Sequence, residues 1–84
     1  MNGYEKELRE YLDGMEKMAE STIERGHEII GELWEEIKTD ANGHHGNAVE
    51  GTLKRIEAED EHIAAWMARL SVIRDVKMIM NREV

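Results

Sequence analysis

The sequence predicts an all-α fold: an antiparallel hairpin of two long helices, dimerising into a four-helix bundle. Three observations predict it. Apolar residues recur in steps of three and four through both halves of the chain, a single cluster of turn residues separates the halves, and there is no proline. With 84 residues the chain has room for one helical domain, 1–84, and no cysteine is present to staple a small core or hold a metal through thiolate. Two helices alone leave much apolar stripe uncovered, and chains of this size commonly gain the missing burial by self-association. A homodimer is therefore the expected state.

The first helix is predicted over about 4–38. Its stripe runs Tyr4, Leu8, Tyr11/Leu12, Met15, Met18/Ala19, Thr22/Ile23, Gly26, Ile29/Ile30, Leu33/Trp34 and Ile37. Gly14, Gly26 and Gly31 each weaken a helix by about 1 kcal/mol relative to Ala. A break near Gly14 is the alternative, giving three helices. Gly26 falls on the stripe, where it lets another helix approach closely. The turn is predicted over about 39–47, where Asn42-Gly43 and Gly46-Asn47 are turn chemistry and Asn47 is the expected N-cap of the second helix. That helix is predicted over about 48–81, with the stripe Val49, Leu53, Ile56, Ile63, Trp66/Met67, Leu70, Ile73, Val76 and Ile79 or Met80. Trp34 and Trp66 are expected to anchor the bundle core or the dimer interface.

Net charge is -8, which opposes direct binding to nucleic acid phosphates or anionic lipid and suits a cation or a basic protein partner. No apolar run reaches membrane-spanning length and Met1–Lys6 lacks the layout of a secretory signal, so the expected location is cytoplasmic. No Gly-rich phosphate loop, nucleophile elbow or basic stripe with interleaved aromatics is present, and the serines have no visible catalytic partners.

A ladder of carboxylates, Glu16, Glu20, Glu24, Glu28, Glu32 and Glu36, recurs at every fourth residue of the first helix. Like charges at that spacing repel by about 0.2–0.5 kcal/mol per pair. The plain reading is a solvated acidic face; the functional reading is a surface for a basic partner, in which Glu16, Glu20, Glu24, Glu32 and Glu36 make contact. On the second helix Glu59 falls on the apolar stripe, where a carboxylate must be paired, hydrogen-bonded, metal-bound or protonated. His62 comes three residues later, at the Glu-x-x-His spacing that aims two ligands at one metal. A turn centred near Gly43-His44 makes facing residues sum to about 87, which puts Glu24, His27, Glu28, Glu59 and His62 at a common height. Glu24 and Glu28, however, lie about 160° round the first helix from Gly26, so they meet Glu59 or His62 only across a subunit boundary. The alternative is separate surface glutamates and a partly buried Glu59–Arg pair. His44-His45 offers loose metal binding or simply a polar turn.

Two families share some of these residues. Residues 28–70 resemble two-helix ferritin-like proteins of the encapsulated-ferritin type: Glu28 matches the first-helix ligand, Glu59 and His62 the Glu-x-x-His pair, Trp34 a nearby aromatic, and Glu61-His62-Ile63-Ala64 a Glu-His-x-Ala run. That resemblance implies iron held between subunits and ferroxidase activity. Residues 22–73 resemble MazG-like nucleotide pyrophosphohydrolases in Glu24-Arg25-Gly26-His27-Glu28 and Glu59-Asp60-Glu61-His62, implying magnesium-dependent hydrolysis of a nucleoside triphosphate. Arg25 and His62 stand where that family places acidic ligands. Both converge on Glu28, Glu59 and His62, and an imidazole among the ligands favours iron or manganese over magnesium. The leading expectation is nonetheless a small acidic interaction or regulatory protein that binds a basic surface, with the ferroxidase and the pyrophosphohydrolase as alternatives.

Overall fold

A computed structural model describes residues 3–42 and 46–82. Two helices, α1 (Gly3–Asn42) and α2 (Gly46–Arg82), run antiparallel and pack along their whole length; among the described residues there is no strand. The rod measures 64 × 14 × 14 Å, and its radius of gyration of 18.9 Å far exceeds the roughly 12 Å of a globular chain of this length. Both helices extend further toward the corner than expected. α1 runs on past residue 38, and α2 starts at Gly46, which leaves Asn47 inside the helix instead of capping it. His44 and His45 lie outside the described residues.

α1 is continuous through Gly14, so the three-helix alternative is not what forms. Gly14 faces outward, with nothing within 4 Å of where a Cβ would be, while Leu12 and Ala19 on either side of it are buried in the seam. Tertiary packing outweighs the propensity cost of one glycine.

The seam keeps to a heptad more closely than the predicted stripes do. In α2 the buried or half-buried residues are Val49, Thr52, Ile56, Glu59, Ile63, Trp66, Leu70, Ile73, Lys77 and Met80, an unbroken alternation of steps of four and three. That is the a/d pattern of a coiled coil. Hence Thr52 takes the place expected for Leu53, and Lys77 the place expected for Val76; Leu53, Met67, Val76 and Ile79 are exposed. Thr52 keeps its hydroxyl satisfied by donating to the Ala48 carbonyl, 3.0 Å away in its own helix. In α1 the most buried column has a period of seven, Leu12, Ala19, Gly26 and Leu33. Two small residues in mid-column draw the helices together. A Cβ on Gly26 would lie 2.6 Å from Ile63 Cγ1, so only glycine fits there.

The register is also shifted. Lys77 pairs with Asp13, Arg74 with Glu16 and Arg9 with Asn81, so facing residues sum to about 90 instead of 87. His62, and not Glu59, therefore stands level with Glu28.

Candidate functional site

The two sides of the hairpin differ. On one side, in the half that carries the chain ends, the glutamate ladder meets cations of α2. Arg74 reaches Glu16 at 3.2 Å and Glu20 at 2.9 Å, and Lys77 reaches Asp13 at 2.6 Å and Glu16 at 3.0 Å. The hydrogen bond from Lys77 is the main reason the Asp13 carboxyl lies below its ordinary 3.8; Lys77 and then Arg74 hold Glu16 below its ordinary 4.5. In return Asp13 and Glu16 raise Lys77 above 10.5, and Glu16 and Glu20 raise Arg74. Glu16 and Glu20, expected to face a partner, thus serve the hairpin itself. The seam rule accounts for it: Lys77 occupies a core position and sends its amine sideways to the carboxylates while its stem stays in the seam.

Further along the ladder the compensation thins. Glu36 meets Arg55 at 3.5 Å, while Glu28 and Glu32 share Arg25, at 3.1 and 3.8 Å. Among the described residues Glu24, Glu57, Asp60 and Glu61 make no ion pair.

The other side carries Glu59 and His62, and the residues expected to hold metal do not assemble within one chain. Glu59 is half-buried beside Gly26, with Oε1 3.2 Å from the position of a Cβ there. It lies in an open groove lined also by Thr22, Arg25, Ile29 and His62, and it makes no pair with an arginine among the described residues. His62 is exposed and stands edge-on to Trp66, ring centres 6.3 Å apart; Arg69 lies 4.8 Å over the same indole. Glu28 turns to Arg25 on the outer surface. His27 is seven residues from Glu20, in the column that faces Arg74, and so lies on the opposite side from His62. Among the described residues no three His, Asp or Glu side chains come close enough to hold a metal ion. Trp34 is not a core anchor of the hairpin, being 47% exposed, whereas Trp66 is half-buried.

Sequence reasoning missed Asp13, Arg74 and Lys77. The signal was the heptad itself: counting sevens from Ile56, Ile63 and Leu70 reaches Lys77.

The net charge is distributed along the rod. Residues 24–61, which form the corner half, hold eleven carboxylates and four cations, a net of -7, whereas residues 3–23 and 62–82 together hold seven of each. The described rod has an acidic corner and a neutral end where α1 begins and α2 finishes.

These features define an antiparallel two-helix coiled coil, polarised in charge. No family model, curated protein or solved structure matches the chain, and the likenesses to ferritin-like and MazG-like proteins rest on the quoted residues alone. No helix among the described residues is long and apolar enough to cross a membrane.

Proposed function

We propose that this protein is an acidic interaction module that binds a basic surface of another protein through the corner half of its hairpin. The supporting observation is the charge distribution, with a net of -7 in residues 24–61 and zero in the two outer segments. Antiparallel pairing stacks the acidic stretches of both helices at one end of the rod, so a cationic partner meets a concentrated field instead of a chain-wide average. Glu16 and Glu20 leave the set of contact residues, because Arg74 and Lys77 already neutralise them. Glu24, Glu32 and Glu36 remain, and Glu28 on α1 with Glu57, Asp60 and Glu61 on α2 join them.

The test uses a fluorescent lysine-rich peptide as probe. Binding should weaken at least about tenfold between roughly 50 and 500 mM salt. The triple variant Glu57→Gln, Asp60→Asn, Glu61→Gln should weaken it further, while Glu16→Gln should not. Binding indifferent to salt and to the triple variant would overturn the reading.

A further inference from the structure

The neutral end of the rod has an uncovered apolar face. Tyr4, Tyr11 and Met18 of α1 are spaced by seven and form one column; with the register near 90, Val72, Val76 and Ile79 of α2 lie across from its Tyr11–Met18 part. All six are exposed, Tyr11 at 64%, Val72 at 61% and Ile79 at 53%. Met15 joins the two helices' contributions. It lines a shallow apolar groove with Tyr11 and Met18 on one side of it, and a second with Ala68 and Val72 on the other. Among the described residues, the only charged one lining the second groove is Arg69, which is laid over Trp66. This face lies on the side of the hairpin away from the Asp13–Glu16–Glu20 and Arg74–Lys77 pairs.

We infer that a second copy of this chain covers this face, the two rods overlapping by their neutral ends and pointing their acidic corners in opposite directions. Two quantities argue for it. The chain exposes 6303 Å², whereas a compact monomer of 9.7 kDa exposes roughly 5,100 Å², and the excess is larger than the roughly 800 Å² each partner gives to a standard interface. The charge distribution then selects the arrangement. Full-length overlap with the corners at the same end would set two net charges of -7 side by side, whereas overlap of the neutral halves alone keeps them at opposite ends. The part that both helices build spans residues 11–18 and 72–79, about 10 Å of helix, and a two-fold axis near Met15 and Val76 passes through its middle and makes it self-complementary. The overlap is then a short four-helix segment. A basic partner does not fit this face, whose two grooves are lined among the described residues by one carboxylate, Glu10, and one cation, Arg69; the inference is independent of the function proposed for the corner.

Solution mass and small-angle scattering on the whole chain test it. The expected result is a dimer at micromolar concentration with a maximum dimension near 100 Å, from two 64 Å rods sharing about 30 Å. Val72→Lys should weaken self-association at least about tenfold, and Met67→Lys, on the opposite side, should leave it unchanged. If the hairpin needs its mate to fold, Val72→Lys unfolds while Met67→Lys stays dimeric, and the wild-type melting temperature rises with concentration; that too supports the inference. A monomer at 100 µM would overturn it (about that concentration being ample for a standard interface). So would a dimer no longer than a single rod, or one broken by Met67→Lys and not by Val72→Lys.

Discussion

Gly26 lies directly against Ile63, so close that a single added carbon would sit 2.6 Å from Ile63 Cγ1 and 2.9 Å from its Cδ1. The approach of the two helices at this level is thus set by one missing side chain. Gly26→Ala should destabilise the hairpin, since overpacking costs about 1–3 kcal/mol and the gain in helix propensity returns only about 1 kcal/mol. Gly14→Ala meets nothing within 4 Å and should stabilise by up to about 1 kcal/mol. Urea unfolding of both variants checks the contrast, and equal effects would contradict the packing described.

Acid should weaken the hairpin through Asp13 and Glu16. Both carboxyls are held below their ordinary values of 3.8 and 4.5, so the stability they contribute is present above those values and is lost as pH falls through the lower folded-state values. Lys77, raised above 10.5, contributes below that value and loses its contribution as pH rises through its folded-state value. Melting temperature against pH should form a plateau between these limits. In the Asp13→Asn, Glu16→Gln variant the acid-side fall should become shallower; an unchanged acid limb would show that these pairs do not couple folding to protonation.

Seam and surface should separate cleanly by mutation. Leu70→Ala removes a buried side chain and should cost about 2–4 kcal/mol. Met67→Ala, three residues away and exposed, should cost less than about 0.5 kcal/mol. Chemical denaturation distinguishes them, and a large loss at Met67 would place the seam a residue out of phase.

Metal binding, if present, should require two chains. Within one chain Glu59 and His62 share a groove with Arg25, and Glu28 is turned outward to that same arginine. Titration of Mn²⁺ or of anaerobic Fe²⁺ into dilute, monomeric protein should give no saturable site, and Glu59→Ala should leave the curve unchanged. A saturable site of fixed stoichiometry in the monomer would contradict the separation of these side chains within one chain.

Much of the architecture was legible in the residues. Steps of three and four gave both helices, and Asn42-Gly43 placed the corner between them. The phase of the second seam was harder. Leu53 and Val76 are more apolar than Thr52 and Lys77, which replace them, and hydrophobicity alone prefers them; Met67 and Ile79 compete in the same way with Trp66 and Met80. What decides is geometry: only a strict heptad keeps one edge of α2 against α1 for nine steps. The candidate metal set does not come together within one chain among the described residues, because Glu28 faces outward and His27 lies on the far side from His62. A shift of about three in the register carried Glu59 past Glu28, and Arg25, counted as an unfavourable substitution in a ligand motif, proved to be the cation that Glu28 and Glu32 share.

The separation of a neutral end from an acidic corner has a dynamic consequence. The two antiparallel helices cancel one another's backbone dipoles, so the molecule's long-axis moment comes almost wholly from its side chains. A rod with that moment rotates as it nears a cationic body and arrives corner first. Its orientation on encounter is set before any atoms touch.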